Sequence, residues 1–184
     1  MELISHAVYK TGQEAPMMRP NTLYDYVTAA NRVFIRARRA EIFGQLPVLE
    51  VDKFIPGLEA MKPQFHIEQK VPARTLSNML EGARKRGNIE ILYHLSYRRP
   101  LFMPLVDGWR VTVPVQFASR GNVTPVDPYA GGANTFIELH SHHVMPAFFS
   151  ATDDADESGG FRIYAVIGEI FTTPKIRVRV GVYG

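Results

Sequence analysis

Three of the six histidines in this chain fall within four residues, in Phe136-Ile-Glu-Leu-His140-Ser-His142-His143, and Ser150-Ala-Thr-Asp153 follows closely. If residues 136–142 are extended, the two-residue period of a strand sets His140 and His142 on one face, where both imidazoles can reach one ion. Ser150 to Asp153, continued by Asp154-Ala-Asp156-Glu157, has the pattern of a capped, acid-rich first helical turn. A helix starting just past a strand's end brings Asp153 back over the histidines. Two His and one Asp leave one tetrahedral position open, the arrangement of catalytic rather than closed structural zinc. Each half also has a plainer reading: Ser150 with Asp153 as a capping box alone, and the histidine pair as ordinary polar strand residues. Their coincidence in one short segment favours a metal. His143 faces away from His142 and reads as a packing residue or a support for the ligands. Glu138, on the ligands' own strand face, is a carboxylate that could orient one of them.

These side chains need a strand and a helix to hold them, and the surrounding sequence supplies both patterns. Residues 1–20 show no clean periodicity and read as a loosely ordered lead-in. Asn21 as an N-cap predicts a short helix over 22–31, followed by strand-like stretches at Val33–Ala37 and Leu46–Val51. Residues 21–70 thus form an N-terminal extension of helix plus strands. Pro72 suits a first helical turn, and Leu76, Met79, Leu80 and Ala83 recur at helical spacing until Gly87-Asn88 ends the pattern. Strands are expected over 89–95, 108–115, 161–170 and 175–183, with a long Pro/Gly loop at 122–134 that could help position an extended substrate tail. The class is α+β: a single domain with a mixed β-sheet flanked by helices, in which residues 71–184 are the metal-binding core.

The chain has 184 residues, 46% hydrophobic and 21% charged, which suits one folded domain and excludes wholesale disorder. It has no cysteine, so a disulfide framework, a thiolate nucleophile and a Cys-rich zinc site are excluded, and any metal must bind through His, Asp or Glu. The net charge is only +3, and the basic residues cluster locally at Arg36–Arg39 and Arg84–Arg86 rather than over a broad face, which argues against nucleic acid as partner. Arg36–Arg39 reads as a solvated strand rather than a surface for an acidic partner. No basic start leads into an apolar core and no long apolar run occurs, so a membrane is not expected and a cytoplasmic location is.

His-x-His, seven residues, then Ser-x-x-Asp resembles the motif of the JAB/MPN metalloproteases of the JAMM group, matched here by His140, His142, Ser150 and Asp153. Leu139 to Glu157, together with Tyr164-Ala-Val-Ile-Gly168, is further similar to the JAB-type proteins of the bacterial PRTRC cassette. The resemblance implies zinc on His140, His142 and Asp153, Ser150 as an oxyanion donor, and an upstream Glu as general base. Glu90, after the best helix and at the start of an apolar strand, keeps the family's order, although it lacks the usual Gly three residues on. Glu41, in Glu-Ile-Phe-Gly-Gln-Leu, is the alternative. The implied activity is hydrolysis of an amide or isopeptide bond at the tail of a ubiquitin-like or sulfur-carrier protein. Two other functions stay open: a non-catalytic MPN-type interaction scaffold and a small-molecule zinc amidase.

Overall fold

The computed structural model describes residues 3–39, 42–98, 108–127, 129–130, 132–157 and 160–183. Glu41, the alternative base, lies outside the described residues, as do Pro128 and Gly131 of the Pro/Gly loop. The chain forms two compact units, Met1–Lys70 and Val71–Gly184, rather than the single domain that its length suggests.

The first unit is a five-stranded sheet in sequential order, β1 (Ile4–Val8), β2 (Tyr24–Thr28), β3 (Arg32–Arg39), β4 (Ile42–Glu50) and β5 (Gln64–Ile67). β1 and β2 are parallel and the remaining pairs antiparallel. Two expectations are corrected here. The lead-in contains β1, and the segment expected as a helix over 22–31 is β2. Asn21 adopts a left-handed backbone (φ 63°) ahead of a strand instead of capping a helix. Tyr24, Tyr26, Val27 and Thr28 are aromatic or β-branched, and pairing with β3 decides their state over any local cap signal. The reading of the basic cluster as a solvated strand is corrected in part, since Arg38 is exposed as expected whereas Arg36 is not. Arg36 is buried in a two-pronged ion pair with buried Asp25, at 2.8 and 2.5 Å, and also donates to the carbonyl of Pro16. Arg38 lies over the ring of Phe43, 5.1 Å from its centroid. An Arg held in this way costs desolvation that only complete pairing offsets.

The second unit carries the candidate site. Its first element is α1 (Ala73–Lys85), with Pro72 at the N-cap and Gly87 leaving the helix at φ 67°. Met79 and Ala83 of α1 are buried, whereas Leu76, expected on the same apolar stripe, is exposed. A mixed sheet follows in the order β12 (Lys175–Val182), β11 (Phe161–Gly168), β10 (Thr135–Ser141), β6 (Leu92–Tyr97), β7 (Trp109–Thr112). β10 and β11 are parallel, which requires a crossover, and the crossover contains α2 (Ala151–Asp156). α1 is fastened to the sheet by the Tyr93 hydroxyl, which donates to the Met79 carbonyl at 2.8 Å, and by Arg84, which donates to the Ile170 carbonyl at 2.6 Å. Leu95, Leu139, Phe161 and Val166 fill the core. The expected loop at 122–134 is in part structured: β9 (Val123–Pro125) pairs with β8 (Gln116–Ala118) as a hairpin, and a 3-10 turn spans Gly132–Asn134. No helix among the described residues is long and apolar enough to cross a membrane.

Candidate metal centre

β10 pairs antiparallel with β6 so that His140 stands opposite Leu92, and Ser141 and Ile91 continue the register by hydrogen bonding to each other. Just beyond these pairs, Glu90 and His142 both line the cavity of the site. The stretch 90–92 is held on its other side by β8, where Glu90 N–H donates to the Ser119 carbonyl and Leu92 N–H to Oε1 of Gln116. Glu90 therefore enters the site through sheet register, not through nearness in sequence.

His140, His142 and Asp153 each offer one ligand atom, and these atoms lie within 4.8 Å of one another. The Nε2 atoms of the two histidines are 3.1 Å apart, and Asp153 Oδ1 is 3.5 Å from His140 Nε2. Ligands about 2.0–2.1 Å from a tetrahedral zinc stand roughly 3.3 Å from one another, so the donor set fits such an ion. This buried triad could hold a metal ion. His142 Nδ1–H donates to the Pro146 carbonyl at 3.1 Å, which fixes the tautomer and leaves the Nε2 lone pair for a ligand bond. Burial pushes His140 down to about 4 against the pull of Asp153, with His142 and Arg179 adding to the fall. His142 is also lowered, by burial first, against the Pro146 bond and Asp153. Both imidazoles are thus neutral at neutral pH, the form that binds a metal.

Asp153 belongs to a complete capping box at the start of α2. Its N–H donates to Ser150 Oγ at 3.2 Å, and its Oδ2 accepts the Ser150 N–H and hydroxyl. The capping reading of these residues is therefore met, and it leaves Oδ1 of Asp153 free for a ligand bond, because the cap uses the other carboxylate oxygen.

Glu90 is 1% exposed, and its Oε1 has no hydrogen-bond partner among the described residues. Burial, with the charge of Asp153 as a lesser cause, raises its carboxyl to about 7. It lines a cavity of about 120 Å³ together with Gly121, Asn122, Val123, His140, His142, Met145, Phe148, Ser150 and Asp153. All five residues expected at the site, Glu90, His140, His142, Ser150 and Asp153, thus line one cavity. Glu138 is paired with Arg162 instead, stands opposite His94 on the neighbouring strand, and is not among the residues that line the cavity.

Other neighbours carried weaker signals in the sequence. Phe148 packs edge-on against the His142 ring at 4.7 Å. Arg179 of β12 binds Asp154 and Glu157 at 2.5 Å each and lies over the Phe149 ring at 4.0 Å, steadying α2 from the far edge of the sheet. The Gly121-Asn122 pair, a turn-forming dipeptide, marks the tip of the β8–β9 hairpin and forms a wall of the cavity. No protein-family model matches the chain, and no curated protein matches it.

Proposed function

We propose that the protein is a zinc-dependent peptidase or isopeptidase of the JAMM type, acting on the C-terminal tail of a ubiquitin-like or sulfur-carrier protein. The observation that carries this reading is the orphaned, buried carboxyl of Glu90 on the wall of the cavity that holds the His–His–Asp cluster. A structural metal site has no use for such a group, whereas general-base catalysis requires one with a raised pKa. His140, His142 and Asp153 hold the ion. When bound, zinc supplies Lewis acidity, which acidifies water and polarises a carbonyl. Glu90 accepts the proton of the attacking water and returns it to the leaving amine. Ser150 orients Asp153, and its hydroxyl turns from Oδ2 to donate to the oxyanion.

The test is to load the protein with one equivalent of zinc and offer it ubiquitin-like and sulfur-carrier proteins extended at their C-termini, with cleavage followed by mass spectrometry. Wild type is expected to release the extension, and Glu90→Ala to keep its zinc without turnover. Zinc uptake with no hydrolysis of any such tail overturns the peptidase reading in favour of the scaffold.

A further inference from the structure

His143 follows the second ligand and is left without a task by the chemistry above. Its backbone stands at φ 35°, in the left-handed region that residues with a Cβ rarely adopt, yet its side chain is buried. Both ring nitrogens are engaged. Nε2–H donates to the carbonyl of Arg120 at 2.5 Å, and Nδ1 accepts the N–H of Val144 at 2.8 Å. The two bonds fix one neutral tautomer and leave no lone pair for a metal. The His143 carbonyl accepts the N–H of Ile170 at 2.8 Å, which anchors the residue to the chain just beyond β11.

Arg120 belongs to the exposed tip of the β8–β9 hairpin. Within that tip, Ser119 N–H and its hydroxyl both donate to the Asn122 carbonyl, bonds that shape the turn without fastening it to anything else. The turn is fastened to its surroundings at two carbonyls: that of Ser119 accepts the N–H of Glu90, and that of Arg120 is held by His143, from a buried anchor to an exposed turn. That turn contributes Gly121 and Asn122, and β9 adds Val123, to the cavity that Ser150 and Asp153 also line. The side-chain amide of Asn122 is exposed and makes no hydrogen bond among the described residues, so its donor and acceptor are both available to a peptide unit.

We propose that His143 is a positioning residue: it clamps the 119–122 turn at the mouth of the metal cavity and so presents the Asn122 amide to the backbone of the substrate. The clamp stands on the geometry alone, whereas the role of Asn122 rests on the peptidase reading.

Two variants separate the clamp from the local strain. Asn at 143 tolerates a left-handed backbone and sets an acceptor near the Val144 N–H, but it is too short to reach Arg120. Gln at 143 reaches the Arg120 carbonyl and gives up the local acceptor. In the metal-free protein, His143→Asn is expected to speed amide hydrogen exchange at 119–123 by about tenfold, the effect of one lost hydrogen bond, and His143→Gln to restore the slow rate. Nitrogen chemical shifts of the wild-type ring are expected to report the Nε2–H tautomer with a protected proton, a measurement that needs no variant. Unchanged exchange in His143→Asn, or the Nδ1–H tautomer, overturns the clamp. With zinc and a cleavable tail, His143→Asn and Asn122→Ala are expected to raise KM about tenfold with kcat within about twofold, and His143→Gln to stay near wild type. A lowered kcat at constant KM overturns the role of Asn122. A wild type that exchanges as expected but cleaves nothing removes the Asn122 assignment with the peptidase reading and leaves the clamp standing.

Discussion

Asp153 divides its carboxylate: Oδ2 accepts the N–H of Ser150 at 2.6 Å and its hydroxyl at 2.7 Å, while Oδ1 stands 3.5 Å from His140 Nε2. The helix cap and the candidate metal ligand are thus two ends of one side chain, and the cap sets which oxygen faces the histidines. Ser150→Ala removes the hydroxyl and leaves the N–H. The expected loss is about 1 kcal/mol of stability from the cap and roughly 10- to 100-fold in zinc affinity from the freed carboxylate. Competition against a chromogenic chelator measures the second; unchanged affinity would show that the backbone bond alone orients Asp153.

Metal content gives the most direct check of the centre. Protein purified without a histidine tag or chelator is expected to carry about one zinc per chain, and His142→Ala none. Zinc retained in that variant would mean that the ion sits elsewhere.

Glu90 gives a pH signature independent of activity. Its folded pKa is raised from 4.5 to about 7, so between those values the folded metal-free protein binds more protons than the unfolded chain, and this group's contribution to stability falls as pH rises. Glu90→Gln removes that loss. The gain in unfolding free energy over wild type is expected to be small near pH 4.5 and to grow to about 3 kcal/mol above pH 7. The comparison must be with wild type, because the depressed His140 acts in the opposite sense, its contribution rising with pH from about 4 to 6.5. Denaturant titrations at several pH values decide it; a difference that does not change with pH would mean that Glu90 is not held as described.

Gly168 ends β11 against the loop that follows the ligands. A Cβ there would lie 2.3 Å from the nitrogen of Ala147, 2.4 Å from the carbonyl carbon of Pro146 and 2.5 Å from the oxygen of Met145, all backbone atoms. Gly168→Ala must push that loop away, and with it the Pro146 carbonyl that holds the His142 ring. The expected result is a loss of about 2 kcal/mol or more together with weakened zinc binding, read by thermal melts and metal titration. Gly121→Ala, where a Cβ meets nothing within 4 Å, is the control expected to melt like wild type.

The parts of the site written in local sequence were the legible ones. Alternation about His140 and the Ser150–Asp153 box are patterns a few residues long, and the strand and helix that they foretell are β10 and α2. The helix before Glu90 was equally plain, with Gly87 as its stop. β2 was not legible, since the cap-like Asn21 outweighed Tyr24 and Tyr26 until a partner strand existed to pair with them. Nor was the burial of Arg36, whose partner Asp25 comes from that same strand. Nothing local in His143 announces a bond to Arg120, because Arg120 is brought there by a hairpin that forms a separate two-stranded sheet, 23 residues away in sequence.

The connectivity of the site gives its two chemical duties different robustness. The three candidate ion-binding side chains come from one continuous strand–loop–helix segment, whereas the Glu90 carboxyl, the proposed proton acceptor, arrives through a pairing such as Ile91 with Ser141, 50 residues apart. Closing a short loop costs less entropy than closing a long one, so the metal grip can form early and survive partial unfolding, while the carboxyl is delivered only by the finished sheet. A one-residue slip of β6 against β10 would turn Glu90 to the other face and leave the grip intact. On the proposed function, hydrolytic competence and metal retention are mechanically separable, and a scaffold would lie one strand register away from an enzyme.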